Sequence, residues 1–148
     1  MKLYKIIATM LCSILFLSAC STLTKEEYID AVAKEENEAV ASISKAEDMS
    51  LTLDERKTYI DKTIKAMQNA KKISPPDEFT SAHEEYKKYA ELLTKEFEKV
   101  KEKLNDKSLY ESLDKKTFDK MTEHEQNFRN ALGSEWKEKY SNKLDKLD

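Results

Sequence analysis

Side chains that could do chemistry are few in this sequence, and their spacing limits what they can do. Its two histidines are His83 and His124. A di-iron bundle site needs paired Glu-x-x-His motifs plus two further carboxylates. The residues three before these histidines are Thr80 and Met121, so that pattern fails, and so does His-Glu-x-x-His. No metal site is expected. The adjacent carboxylates Glu26-Glu27, Glu35-Glu36 and Glu84-Glu85 sit beside lysines at helical spacing. They read as solvated faces with weak ion pairs, not as an acid–base pair. Serines and threonines fall mostly at helix caps with no base placed beside them. No catalytic residue is assigned, and the chain reads as a non-enzyme.

The two cysteines, Cys12 and Cys20, both lie in the first 20 residues. Lys2 and Lys5 precede an uncharged, mainly apolar run from Ile6 to Leu17. That run suits a signal h-region and falls short of the ~20 residues that a membrane span needs. Leu17-Ser18-Ala19-Cys20 follows. The arrangement resembles the bacterial lipobox. The resemblance implies a diacylglyceryl group on the Cys20 thiol, cleavage between Ala19 and Cys20, and a lipid-anchored protein on the extracytoplasmic face of the cell membrane. Two acyl chains, at ~0.8 kcal/mol per buried CH₂, hold a protein stably where one does so only marginally. Residues 1–19 are then a cleaved leader, 20–24 a short tether and 25–148 the folded domain. No cofactor beyond the covalent lipid is expected.

Composition removes other classes. One glycine and two prolines in 148 residues cannot supply a Gly-rich phosphate loop or the frequent turns of a β-sandwich. Arg56 and Arg129 are the two arginines, and the net charge is −3. Nucleic-acid recognition favours arginine and a basic face, so it is excluded. Loss of Lys2 and Lys5 with the leader makes the remaining domain more acidic still, which argues against a polybasic binder of membrane or wall.

What remains is helical. Thr24-Lys25-Glu26-Glu27 and Thr52-Leu53-Asp54-Glu55 are capping boxes, which open helices over about 25–48 and 53–73. The first carries the weaker apolar stripe, interrupted by Glu35-Glu36. Ser74-Pro75-Pro76 breaks the second helix. A third, over 76–105, places Phe79, His83, Tyr86, Ala90, Leu93, Phe97, Val100 and Leu104 at alternating spacings of about four and three, a sustained seam. Ser108-Leu109-Tyr110-Glu111 predicts a short helix to about Lys116, with a kink near 114–117. A last stripe runs from Phe118 through Trp136 to Leu147, with Gly133 inside it. The expected fold is an all-α, antiparallel up-down bundle of three to four long helices with coiled-coil-like packing.

This topology sets the tether against the chemistry. Four residues between Cys20 and the first helix span at most ~14 Å, so the bundle stands close to the membrane. Tyr28, Pro75, Phe79, His83, Tyr86, Trp136 and Tyr140 gather at that proximal end, and Met49, Leu51, Leu109 and Tyr110 at the distal one. The proximal aromatics read as core, with a lipid-interface belt as the other reading. The distal apolar residues either plug the bundle or form a patch for a partner. His83 reads as a polar seam residue bonded to the last helix or to backbone; with Tyr86 it could instead touch a ligand. Pro75-Pro76-x₂-Phe79-x₃-His83-x₂-Tyr86 resembles a Pro-x-x-aromatic-x-x-x-His pattern in small Lys/Glu-rich helical lipoproteins of Gram-positive bacteria, which implies no activity. The function expected is protein interaction or envelope structure, with another envelope protein as partner. The alternative is binding of a small ligand or envelope polymer at the His83/Tyr86 end.

Overall fold

A computed structural model describes residues 22–105 and 108–144. Ala19, Cys20 and the rest of the leader lie outside them. The described residues form an all-α bundle: α1 (Lys25–Glu47), α2 (Leu53–Ala70), α3 (Thr80–Lys103), α4 (Lys115–Ala131) and α5 (Ser134–Lys143). None of the described helices is long and apolar enough to cross a membrane.

Both predicted N-terminal boxes close. Thr24 accepts from the Glu27 amide at 3.2 Å while the Glu27 carboxylate accepts from the Thr24 amide at 2.8 Å. The Thr52/Glu55 pair repeats this on α2, at 3.3 and 2.8 Å. Each satisfies donors that a helix start would leave orphaned. After Pro75-Pro76 the chain makes a 3₁₀ turn, Asp77–Phe79, before α3 begins. The third helix therefore starts at Thr80 rather than 76. Pro76 is extended, with ψ 156°, and its carbonyl takes the Phe79 amide at 2.9 Å.

The α3 seam is buried along its whole length, from Phe79 at 3% exposed to Leu104 at 5%. α3 spans about 36 Å and is the spine of the bundle. Cross-helix bonds fix antiparallel neighbours in chain order: Asn69 to Glu35 for α1/α2, Lys101 to Asp61 for α2/α3, and His124 to Glu85 for α3/α4. α1 and α2 both bury small residues, Ala33, Ala39 and Ala46 on the first and Ala66 and Ala70 on the second. The α3/α4 contact is built on large ones, with the Tyr86 and Phe128 rings 5.0 Å apart, edge to face.

Two expectations about the last third are corrected. Ser108 opens no helix. It donates to Glu47 of α1, and residues 110–112 form one 3₁₀ turn. The helix proper starts at Lys115, capped by Asp114, which accepts from the Thr117 amide at 2.9 Å. The anticipated kink is thus a full break, with Leu113 extended. The last helix is also not continuous. Gly133 has φ 81° and ψ 163°, a region essentially reserved for glycine. It ends α4 and redirects α5 along α1, where Lys139 and Lys143 reach Glu26, Lys143 pairs with Asp30, and the Lys143 carbonyl accepts from Asn37 at 2.8 Å.

Candidate functional site

His83 lies one turn into α3 and is 1% exposed. Its Nδ1 is 2.9 Å from the Tyr28 hydroxyl of α1, and its Nε2 is 3.3 Å from the carbonyl of Lys71, the residue that ends α2. A carbonyl can only accept, so the tautomer assigned by this network carries its proton on Nε2. Tyr28 then donates to Nδ1. One ring therefore ties three helices, with both nitrogens satisfied. Burial holds its pKa below the usual histidine value. Burial also pushes the Tyr28 phenol up. The predicted seam position is right and one partner is backbone, as expected, the Lys71 carbonyl; the side-chain partner is Tyr28 of α1 rather than a residue of the last helix. Tyr86, the other predicted ligand contact, is fully buried and stacks on His83 with ring centres 6.2 Å apart. Its hydroxyl donates to Glu36 at 2.7 Å.

The other proximal aromatics are packed inward too. Tyr28 and Tyr140 are at most 1% exposed. Half-buried Trp136 lies edge-on to Phe79 at 5.7 Å, under the Lys139 ammonium. His124 sits elsewhere, against Glu85 at 2.8 Å. The Lys88 ammonium first, and His124 second, bring the Glu85 carboxyl down to about 2. The two histidines do not meet. Among the described residues no group of three or more His, Cys, Asp or Glu is placed to hold a metal ion.

The distal end is held by polar ties that the sequence reading missed. Arg56, 2% exposed, donates to the Ala46 carbonyl at 2.7 Å and the Asn105 carbonyl at 3.1 Å, near the ends of α1 and α3. Glu47 accepts from the Leu109 amide at 2.7 Å. Glu96 accepts from the Asp114 amide at 2.7 Å, ahead of α4.

Between these ties a cleft of about 350 Å³ opens among α1, α3 and α4. Val40 and Ile43 line it from α1, Leu93 and Phe97 from α3, Phe118 and Met121 from α4, and Tyr110 and Leu113 from the connection. Phe118 and Tyr110 are 49% and 53% exposed at its rim. Its inner end is polar. Glu36, 7% exposed, accepts from Tyr86 through Oε2 and from Tyr89 through Oε1 at 2.8 Å. Burial raises the Glu36 pKa against the pull of those two hydroxyls, and Glu125 raises it further. Glu125 also lines this end and is bonded to Arg129, whose guanidinium lies over the Tyr140 ring at 5.2 Å and donates to Ser141 at 3.0 Å.

The sequence did carry a signal for Glu36. Ile29, Val32, Glu36, Ala39, Ile43 and Ala46 step by three and four, so Glu36 occupies a core position of the α1 seam instead of interrupting a stripe. Tyr86 and Tyr89 supply the hydroxyls that make a carboxyl there tolerable. Chemically the site can bind: it offers apolar walls, two aromatic edges and carboxyls gathered at one end. Comparison with known proteins finds no family model that matches the chain, no matching curated protein and no matching solved structure.

Proposed function

We propose that this chain is a lipid-anchored, extracytoplasmic, non-enzymatic binding module of the cell envelope, and that a partner protein docks in the distal cleft. The observation that carries the reading is the position of that cleft. It lies in the half of the bundle away from Thr24, where the tether enters, and Phe118 and Tyr110 stand exposed at its rim. Apolar groups left outside beside a concave apolar surface mark interaction sites. The polar groups of the cleft are already engaged with one another, Glu36 with two tyrosines and Glu125 with Arg129, which favours binding over turnover. The anchor rests on the lipobox residues Leu17 to Cys20.

Ligand capture at His83 and Tyr86 finds less support, because both rings are closed over and their polar atoms satisfied.

Two experiments test the reading. Cys20→Ala should abolish lipid labelling and leave an unprocessed precursor; normal labelling and processing would remove the anchor. A photo-crosslinking residue at position 118, in intact cells, should trap a discrete adduct that the same residue at Thr58 on α2 does not. Equal adducts at both positions, or none at 118, would remove the docking surface.

A further inference from the structure

The bond between Tyr28 and His83 fits one protonation state of the ring. With its proton on Nε2, the buried imidazole donates to the Lys71 carbonyl and accepts from the Tyr28 hydroxyl. A second proton has to go on Nδ1, the atom that faces Tyr28. The hydroxyl must then turn to accept, and its own hydrogen is left without an acceptor, because His83 is its hydrogen-bond partner in the fold. The Lys71 side behaves differently. Lys71 caps the C-terminus of α2, where a charged donor is favoured, so that bond survives protonation. Charge on the ring also meets no bonded anion. Packed around it are Tyr28 from α1, the Lys71 carbonyl from the end of α2 and Tyr86 from α3. The charges that act on it are Glu84 and Lys87 of α3, which pair with each other. Lys71 turns its ammonium to Glu91, and Lys25 of α1 turns its own to Glu78. His124 is the opposite case: a proton there makes an ion pair with Glu85 and tightens α4 on α3.

We propose that Tyr28 and His83 form a proton-operated latch: mild acid loosens the first turns of α1, the helix that follows Thr24, from α3, while α2, α3 and α4 stay packed. The latch needs no partner in the distal cleft. Tyr28 also packs on Phe79, with ring centres 5.6 Å apart, so the aromatic cluster at the proximal end opens with it. Burial holds the His83 pKa below the ordinary histidine value, so the latch is shut near neutrality and starts to open below about pH 6.5. Each pH unit between the ordinary value and the lowered one favours the released state by about tenfold. Glu36, about two turns further along α1, responds the other way: burial favours its neutral form, so acid favours the folded state there. Ion pairs of Glu26 and Asp30 with Lys139 and Lys143 keep α1 on α5. The release is therefore a loosening of the proximal turns and not a detachment of the helix.

The test is amide hydrogen exchange of the full chain in detergent, read at about pH 7.5 and about pH 5 and corrected for the intrinsic exchange rate at each pH. Amides of residues 28–33 should lose about tenfold in protection in acid, while those of residues 42–46 and 121–128 keep theirs. In His83→Gln, which cannot take the proton, the loss should disappear. Nitrogen NMR of the chain labelled in histidine, with His124→Gln to assign the two signals, keeps the test valid if His83→Gln fails to fold. His83 should carry its proton on Nε2 alone at the higher pH and gain the Nδ1 proton over the range in which residues 28–33 open. Equal loss in all three segments would overturn the latch, since it marks general unfolding. So would full protection of residues 28–33 in acid, a loss that survives in folded His83→Gln, or an Nδ1 proton gained while those amides stay protected.

Discussion

The two ends of the bundle handle their polar and aromatic groups in opposite ways. At the proximal end Tyr28, Phe79, His83 and Tyr86 pack ring against ring, and both nitrogens of the one imidazole are bonded inside the protein. At the distal end Arg56, Glu47 and Glu96 also find partners within the protein, but they tie connections to helices. Met49, Tyr110 and Phe118 remain outside, and a cleft stays open beside two of them. The difference follows from the connections. Pro75-Pro76 turns the chain sharply, and α5 folds back to cover the aromatic end. The described part of the distal connection, from Ser108 to Asp114, holds one 3₁₀ turn, and its Tyr110 and Leu113 line the cleft without closing it. A closed end beside Thr24 and an open end away from it are the arrangement that the proposed anchor and the proposed docking would require.

The largest effect expected from that contrast is in packing. Phe128 is fully buried against Tyr86 and Tyr140. Phe128→Ala should cost about 3–5 kcal/mol in chemical denaturation. A loss below about 1 kcal/mol would mean that the aromatic end is not the cohesive part of the fold.

His83 comes next. Replacing this residue with leucine fills the seam but strands the Tyr28 hydroxyl and the Lys71 carbonyl, at about 1–3 kcal/mol each. His83→Leu should therefore destabilise, although the seam pattern alone would let leucine stabilise. Adding Tyr28→Phe should recover part of the loss by removing one stranded group. A double variant no more stable than His83→Leu would show that the hydroxyl–imidazole bond contributes nothing.

Gly133→Ala tests the break between α4 and α5. A Cβ there meets nothing within 4 Å, so any cost is backbone strain, about 1–3 kcal/mol. An unchanged unfolding midpoint would mean that α5 redirects without needing this conformation.

Much of this fold was legible in the sequence, and the illegible parts share a cause. The α3 seam and the Thr24 and Thr52 boxes depend on residues within a turn or two of each other, and local spacing predicts them. Ser108 had the same local signature and failed, because Glu47, far away in sequence, takes its hydroxyl. Asp114 had the Asp-x-x-Thr cap signature, overlooked beside the stronger Ser108 pattern. Gly133 reads as a mild cost inside an apolar stripe until φ is known. Arg56 looks like an ordinary surface charge, since only the third dimension brings the Ala46 and Asn105 carbonyls to it, and the spacing that puts Glu36 on the α1 seam does not announce its tyrosine partners. The cleft draws on three helices and a connection, so no stretch of sequence announces it.

The pH dependence is smaller because its parts oppose. His83 has a folded pKa lowered by burial, so the unfolded chain binds the proton better and stability falls as pH drops below about 6.5. Glu36 has a folded pKa raised by burial, so the folded chain binds the proton better and stability falls as pH rises above about 4.5. Glu85, at about 2 when folded, adds stability above about 4.5 that is lost as pH falls toward 2. Between about 4.5 and 6.5 the two slopes have opposite signs, His83 raising stability with pH and Glu36 lowering it. In Glu36→Gln the downward slope should vanish, leaving unfolding midpoints that rise steadily toward neutral pH. If the variant keeps the wild-type profile, Glu36 does not titrate with folding.

The smallest stability effect should fall on the residue that matters most for the open end. Phe118 is 49% exposed and sits one turn into α4, after the Asp114 cap is complete. About half of the ring is already exposed and the Asp114 cap does not use it, so Phe118→Ser should move stability by no more than about 0.5 kcal/mol. The same change removes an apolar edge of the cleft mouth, and docking is where it should tell. Photo-crosslinking from Tyr110 across the cleft, read in intact cells, should lose its discrete adduct in Phe118→Ser at unchanged protein abundance. Phe128→Ala should act the other way, lowering abundance and adduct together. If Phe118→Ser lowers stability as Phe128→Ala does, the distal end is sealed like the proximal one and the contrast between them fails. If it changes neither stability nor adduct, the contrast stands but the rim of the cleft is not where the partner is held.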